Sequence, residues 1–300
     1  MQEKIKQLSP FLYEQIHNQY RDAASILEGL TLKRTSSFRV NLLKVDTDKV
    51  IKDLTAYGIN CTPVKWCDYA FTFECEEALI RETDCYKNGE IYLQSLSSML
   101  PPIVLDPEPR EDILDMAAAP GGKTAMIAAI TGGLANITAC ERHPIRAEKL
   151  RYNLERQGVK NTTVIIKDAR QLEDFFAFDK LLLDAPCSGS GTLYFDESTT
   201  KTNFSEALVK KTVATQTALL NKAMRLVKKG GTIVYSTCSI LRQENEEIVR
   251  KCLRNGFCIE PIVVENAKDI PILPTTIDGT LCVAPTKEYE GFFIAKIKRV

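Results

Sequence analysis

From residue 112 onward the chain alternates short, largely apolar runs with longer stretches of helical period, and that alternation leaves few folds open. The runs at 113–116, 136–140, 163–166, 180–184 and 232–235 are too short for helices and read as buried strands. Helical patterns fill about 123–130, 144–157 and 205–227. The second has Pro144 in its first turn and Gly158 just past its end. A further strand closes the chain at 291–297. Strand and helix in strict turn mean an α/β fold, a mostly parallel sheet with helices on both faces.

The first hundred residues follow another pattern. Residues 1–34 read as helical, with apolar positions at Leu8, Leu12 and Ile16, then Ala23, Ile26, Leu27 and Leu30. A strand at 38–42, a helix at 45–57 closed by Gly58, and an alternating strand at 69–73 make a small α+β unit. Pro101-Pro102 and Asp106-Pro107-Glu108-Pro109 follow and mark the expected boundary. The expected parts are N-terminal helices over 1–34, a small α+β domain over 35–103, and the alternating domain over 104–300.

Composition narrows the chemistry. No apolar run is long enough to span a membrane, and the first residues lack the apolar core of a signal peptide. A cytoplasmic protein with no membrane partner is expected, and its ten cysteines are then reduced thiols. None of them forms a Cys-x-x-Cys pair, and the two histidines are His17 and His143. A zinc site is therefore not expected, nor a catalytic histidine base beside a serine or cysteine. The formal net charge of zero neither demands nor excludes a nucleic-acid partner. Basic clusters at Lys33-Arg34 with Arg39 and Lys44, and at Lys296-Ile297-Lys298-Arg299, could face such a partner, but from charge alone solvated faces are the favoured reading.

The first three strand ends carry a candidate cofactor site. The first run leads into Ala117-Ala118-Ala119-Pro120-Gly121-Gly122-Lys123-Thr124, a glycine turn opening a helix. Strand, tight glycine turn and helix together are a general way to hold a nucleotide. Ala117 stands where a phosphate-cradling P-loop needs glycine, and the dinucleotide fingerprint is also missing. Glu141 and Asp168 end the next two strands, where one acid suits ribose hydroxyls and the other an adenine amine. That set suits S-adenosylmethionine, an adenosine ligand without phosphate. The plainer alternative is that both acids cap the helices that follow them.

The last two strand ends carry Asp184-Ala185-Pro186-Cys187-Ser188-Gly189 and Ser236-Thr237-Cys238-Ser239. Both thiols lie among small polar residues rather than in apolar runs. Cytosine carbon 5 is a poor nucleophile until a thiolate adds at carbon 6, and a carboxylate at the ring edge and a means of release complete such a site. Cys238, Asp184 and Cys187 could supply these three. For the other eight cysteines burial as small core residues is the simpler account.

With these segments in order, the chain resembles the Nop/Sun group of RNA 5-methylcytosine methyltransferases. Phe38-Arg39-Val40-Asn41, Gln94-Ser95-Leu96-Ser97-Ser98-Met99, the glycine loop, both cysteine motifs, Glu244-Asn245-Glu246 and Gly291-Phe292-Phe293 carry the resemblance, which covers about 39–296. It implies a Rossmann-like methyltransferase domain behind a small RNA-recognition-like domain. It implies S-adenosylmethionine bound by Ala117, Ala118, Ala119, Pro120, Gly121, Gly122, Lys123, Glu141, Asp168 and Asp184, with Arg146 on the ribose side. It implies Cys238 as the nucleophile, Cys187 in product release, Asp184 against the cytosine ring and Lys123 orienting groups around it. The short layout is most similar to archaeal tRNA methyltransferases of the group, so transfer RNA is the favoured partner, ribosomal RNA the alternative, and a monomer is expected. A non-catalytic RNA-binding relative would be expected to have lost Cys238 or the glycine loop, and both are present.

Overall fold

The computed structural model describes all 300 residues. The chain opens with α1 (Gln2–Leu8), α2 (Pro10–Gln19) and α3 (Ala23–Gly29). Pro10 takes the first position of α2, where its missing N–H costs nothing. Asp22 caps α3 by accepting from the Ser25 N–H. These helices do not form a bundle of their own. Leu12, Ile16, Ile26, Leu27 and Leu30 close on Phe195, Phe204, Ile240 and Leu241, far along the chain.

Next come β1 (Ser36–Val40), α4 (Thr47–Ala56), β2 (Cys61–Val64), β3 (Cys67–Phe73), α5 (Glu77–Glu82), α6 (Asp84–Lys87) and β4 (Ile91–Leu93). The four strands form an antiparallel sheet in the order β2-β3-β1-β4. Val50 and Leu54 of α4 pack on Phe38, Phe71 and Phe73. Phe38 and Phe71 are cross-strand partners with ring centroids 5.6 Å apart. This is the expected small α+β unit. Its short strands β2 and β4 lack a clear alternation and were not expected.

Helix α7 (Leu96–Leu105) runs through Pro101 and Pro102, where the sequence suggests a boundary. A proline cannot donate to the carbonyl four residues back. For Pro102 that carbonyl is Ser98, and Gln94 Nε2 donates to it instead at 3.0 Å. Leu96, Met99, Leu100, Val104 and Leu105 bury in the core of the larger sheet. The expected boundary between 103 and 104 thus falls inside a helix that packs on the second domain.

The larger unit contains β5 (Asp112–Asp115), α8 (Gly122–Ile130), β6 (Asn136–Cys140), α9 (Pro144–Arg156), β7 (Thr162–Ile165), β8 (Phe178–Asp184), α10 (Glu206–Leu226), β9 (Val227–Thr237), α11 (Glu246–Cys252), β10 (Phe257–Ile259), β11 (Ile272–Leu273), β12 (Leu281–Val283) and β13 (Phe292–Arg299). The sheet order is β11-β12-β13-β9-β8-β5-β6-β7, with β10 also paired to β13. Strands β5 to β9 run parallel, and β13 lies antiparallel to β9. Successive residues feed opposite cores. Leu114, Leu181, Leu183, Ile233 and Tyr235 face α10 and α11. Ile113, Leu182 and Val234 face α7 and α8. Burial on both sides is why these strands read as apolar runs. The chain steps outward from β5 to β7 and then returns to β8 on the other side, so a switch point opens above β5 and β8.

Candidate functional site

The floor of the crevice is Asp115, the last residue of β5 and almost fully buried. It accepts from Thr124 Oγ1 at 2.7 Å and from the Ala117 N–H at 3.4 Å. Burial pushes its carboxyl up to about 6. Gly121 makes the turn into α8 at φ +106°, a conformation that suits glycine, and a Cβ there would lie 2.9 Å from Leu150 Cδ1.

In the first turn of α8, Lys123 Nζ pairs with Asp184 Oδ2 at 2.8 Å and donates to Ser98 Oγ at 2.7 Å. It also lies over the Phe292 ring, 5.6 Å from its centroid. Burial works against the ammonium, but the Asp184 carboxylate outweighs it and holds the lysine above its ordinary range. The other oxygen of Asp184 accepts from Ser236 Oγ at 2.8 Å.

Cys187 and Cys238 meet above this pair, with their sulfurs 3.1 Å apart. The hydrogen bond with Cys238 and burial push the Cys187 thiol well above its usual range. Cys187 therefore stays protonated beside Cys238.

Two cavities adjoin at these residues. One of about 300 Å³ lies between β4 of the small sheet and the strand ends, lined by Tyr92, Ser98, Lys123, Asp184, Cys238 and Phe292 among others. The second, of about 230 Å³, is lined by Glu141, Arg146, Asp168, Asp184, Cys187 and Cys238, with Ala117 and Ala119. Asp184 and Cys238 border both.

The residues expected at the site come together, with distinctions. Ala118, Pro120, Gly122 and Lys123 line the first cavity, while Glu141, Arg146 and Asp168 line the second. Gly121 lines neither and shapes the turn instead. Buried Glu141 accepts from the His143 N–H at 2.9 Å and lies 3.5 Å from Arg146 Nη1. Arg146 Nη2 in turn donates to the Ala119 carbonyl at 2.8 Å. Asp168 caps the turn at Ala169–Gln171, and both its oxygens bind the Arg170 guanidinium, at 2.9 and 2.6 Å. Those bonds hold its carboxyl below the usual range. The capping alternative therefore describes Asp168 well, even though it faces the cavity.

Sequence reasoning missed Asp115 and gave no role to Arg39. A charged residue inside an apolar strand, nine residues before a threonine, was the available signal for the first. Arg39 of β1 is fully buried. It donates to Gly122 O at 3.1 Å, Gln157 Oε1 at 2.8 Å and Gln94 Oε1 at 3.0 Å, and its guanidinium covers the Tyr92 ring at 5.3 Å. It ties the small sheet to the start of α8.

The donor set suits an adenosine ligand: a buried carboxylate beside a glycine turn, in a cavity ending at two thiols. Sheet order, glycine turn and acid-lined cavity at the switch point place the chain in the α/β fold class of S-adenosylmethionine-dependent methyltransferases. A methyltransferase homologue from Pyrococcus horikoshii superposes with a TM-score of 0.86 at 32% identity, covering 99% of this chain and 98% of that one. NSun6 from the same organism, solved with SFG, shares the fold with a TM-score of 0.84 at 24% identity, over 96% of this chain and 97% of its own. The model of the 16S rRNA methyltransferase RsmB/F family matches residues 102–298, and the chain belongs to that family, part of the Nop/Sun group. Ribosomal RNA small subunit methyltransferase F of Shewanella piezotolerans is 38% identical over 277 residues, which are 88% of this chain and 57% of the relative. That of Erwinia tasmaniensis is 34% identical over 307 residues, 97% of this chain and 63% of the relative. The chain thus spans about three-fifths of the length of these curated relatives.

Proposed function

We propose that this chain methylates carbon 5 of a cytosine in RNA, with Cys238 as nucleophile and Cys187 as the release thiol. The observation that carries this reading is a pair of sulfurs 3.1 Å apart, with Cys238 on the wall shared by the two cavities and Cys187 on the wall of the second. The first cavity would take the base and the second the cofactor. Cys238 Sγ adds to carbon 6 of the ring, which turns carbon 5 into an enamine-type nucleophile. Glu141, Asp168, Ala117 and Ala119 would hold S-adenosylmethionine in the second cavity, where it would supply an electrophilic methyl group. Asp184 and Lys123 hold opposite charges at the ring's polar edge, already paired and so without reorganisation cost. Once carbon 5 carries the methyl, its hydrogen leaves as a proton to a base. Cys238 then departs with the electron pair of its bond to carbon 6, and the ring double bond re-forms. Cys187, with its sulfur 3.1 Å from that of Cys238, hydrogen-bonds the departing sulfur and stabilises it as a leaving group.

Small-subunit ribosomal RNA is the first substrate to test, because the curated relatives carry that name. Transfer RNA, favoured on the chain's short layout, belongs in the same assay. Purified protein with labelled S-adenosylmethionine and each RNA, followed by nucleoside analysis, should give 5-methylcytidine in one class. Cys238→Ala should abolish it, and Cys187→Ala should leave a protein–RNA adduct that survives denaturing gels. Label in a different nucleoside, or equal adduct in Cys187→Ala and the parent, would overturn the assignment.

A further inference from the structure

Two consecutive residues outside both cavities hold the two thiol loops from behind. Glu244 and Asn245 are fully buried, just before α11. The Glu244 carboxylate accepts from the Ser188 N–H at 2.7 Å, Ser188 Oγ at 2.5 Å, Thr212 Oγ1 at 2.6 Å and Gln216 Nε2 at 3.3 Å. Gln216 Nε2 also donates to the Pro186 carbonyl at 3.0 Å. Residues 186 and 188, on either side of Cys187, are therefore both fastened to this cluster. Asn245 does the same for the other loop. Its Oδ1 accepts from Thr237 Oγ1 at 2.6 Å, and its Nδ2 donates to the Ser239 carbonyl at 2.8 Å, on either side of Cys238.

The chemistry of Glu244 is unusual for a packing residue. All its hydrogen-bond partners are neutral, and a buried carboxylate without a cation is costly unless several donors converge on it. An apolar side chain would fill this volume without that cost, but it could not hold the Ser188 N–H.

We propose that Glu244 and Asn245 are positioning residues with separate tasks: Glu244 sets Cys187 for release, and Asn245 sets Cys238 for attack. The inference rests on the cytosine-5 reading above and extends it to the residues that place the thiols. It follows that their substitutions should fail at different steps. A displacement near 1 Å at reacting atoms costs on the order of 10²-fold in rate.

The test compares Glu244→Ala, Glu244→Gln and Asn245→Ala with the parent, using the RNA methylated in the assay above. Single-turnover methylation, steady-state turnover and gel-stable adduct are measured for each. Glu244→Ala should methylate in a single turnover within several-fold of the parent, lose turnover by on the order of 10²-fold, and accumulate adduct as Cys187→Ala does. Glu244→Gln keeps an acceptor for the Ser188 N–H and should recover most of the turnover. Asn245→Ala should lose single-turnover methylation and adduct together. If Glu244→Ala does not fold, Ser188→Ala removes one clasping donor and must raise adduct in the same direction. Parallel losses at both steps in every variant would make the pair plain packing residues and overturn the proposal. A parent that forms no 5-methylcytidine would instead overturn the cytosine-5 reading, and this inference with it.

Discussion

Gly191→Ala tests whether the site depends on a backbone crossing just behind the thiols. Gly191 follows the Cys187 loop and donates its N–H to the Cys238 carbonyl at 3.0 Å. Its own carbonyl accepts from the Gly291 N–H at 2.9 Å, one residue before β13 and Phe292. A Cβ on Gly191 would lie 2.0 Å from Gly291 O and 2.7 Å from Gly291 Cα. The obstacle is backbone, so no side chain can swing aside. Contacts under 3.0 Å are essentially never seen, so the two segments must part by about 1 Å. Overpacking of this kind costs about 1–3 kcal/mol, and each backbone hydrogen bond lost adds about 1 kcal/mol. A loss of roughly 2–4 kcal/mol in stability is expected from guanidinium unfolding. Because one of the segments pushed apart is hydrogen-bonded to Cys238 and the other carries Phe292, single-turnover methylation should also fall, by on the order of 10²-fold. A variant with the parent's midpoint and the parent's rate would show that the crossing yields without moving the site, and would refute the argument.

Two further outcomes follow from buried charges. Arg39→Met strands the acceptors of Gly122, Gln157 and Gln94, so thermal stability should fall by about 3 kcal/mol and the stabilisation by added S-adenosylmethionine should shrink. Arg39→Lys should not restore either, since one ammonium cannot reproduce the guanidinium fork; full rescue by lysine would count against the bridging role. Burial lifts the Asp115 carboxyl to about 6 from an unfolded value near 3.9. Between about pH 4 and 6 the folded chain keeps a proton that the unfolded chain has lost, so stability falls as pH rises through that window, by at most roughly 3 kcal/mol. Asp115→Asn should flatten that slope in denaturation curves, and an unchanged slope would place the titration elsewhere.

The parts of the fold readable from the sequence are those whose cause is local. The β6 strand is Asn136–Cys140 as read and α9 is Pro144–Arg156, one residue short of the reading, because buried parallel strands are continuous apolar runs and helix ends carry proline and glycine. The parts not readable depend on distant partners. Helix α7 survives Pro102 because Gln94, outside the helix, serves the Ser98 carbonyl. Strands β10, β11 and β12 have two or three residues each and exist through their pairing in the β13 half of the sheet. The docking of α1 to α3 on Phe195 and Ile240 spans most of the chain and leaves only an amphipathic pattern behind.

The same division runs through the site. The two cysteine motifs are 51 residues apart, and nothing local says that their sulfurs meet. Register brings them together. Strands β8 and β9 are parallel neighbours in which Asp184 pairs with Ser236. Cys187 lies three residues past the first and Cys238 two past the second, so both loops rise from one level of the sheet. Two apolar runs ending at matched positions before a thiol are thus a readable sign of a shared site, given adjacency. Adjacency itself comes from the long helix α10 between them, which returns the chain to the next parallel position. What no run could disclose is the clasp behind the loops. Glu244 and Asn245 are polar letters in an exposed-looking stretch, and only the packing of α10 against the loop after Cys238 buries them. Their chemistry then follows from burial: polar groups with no water to satisfy them must fasten to whatever backbone is nearest, and here that backbone carries the two thiols.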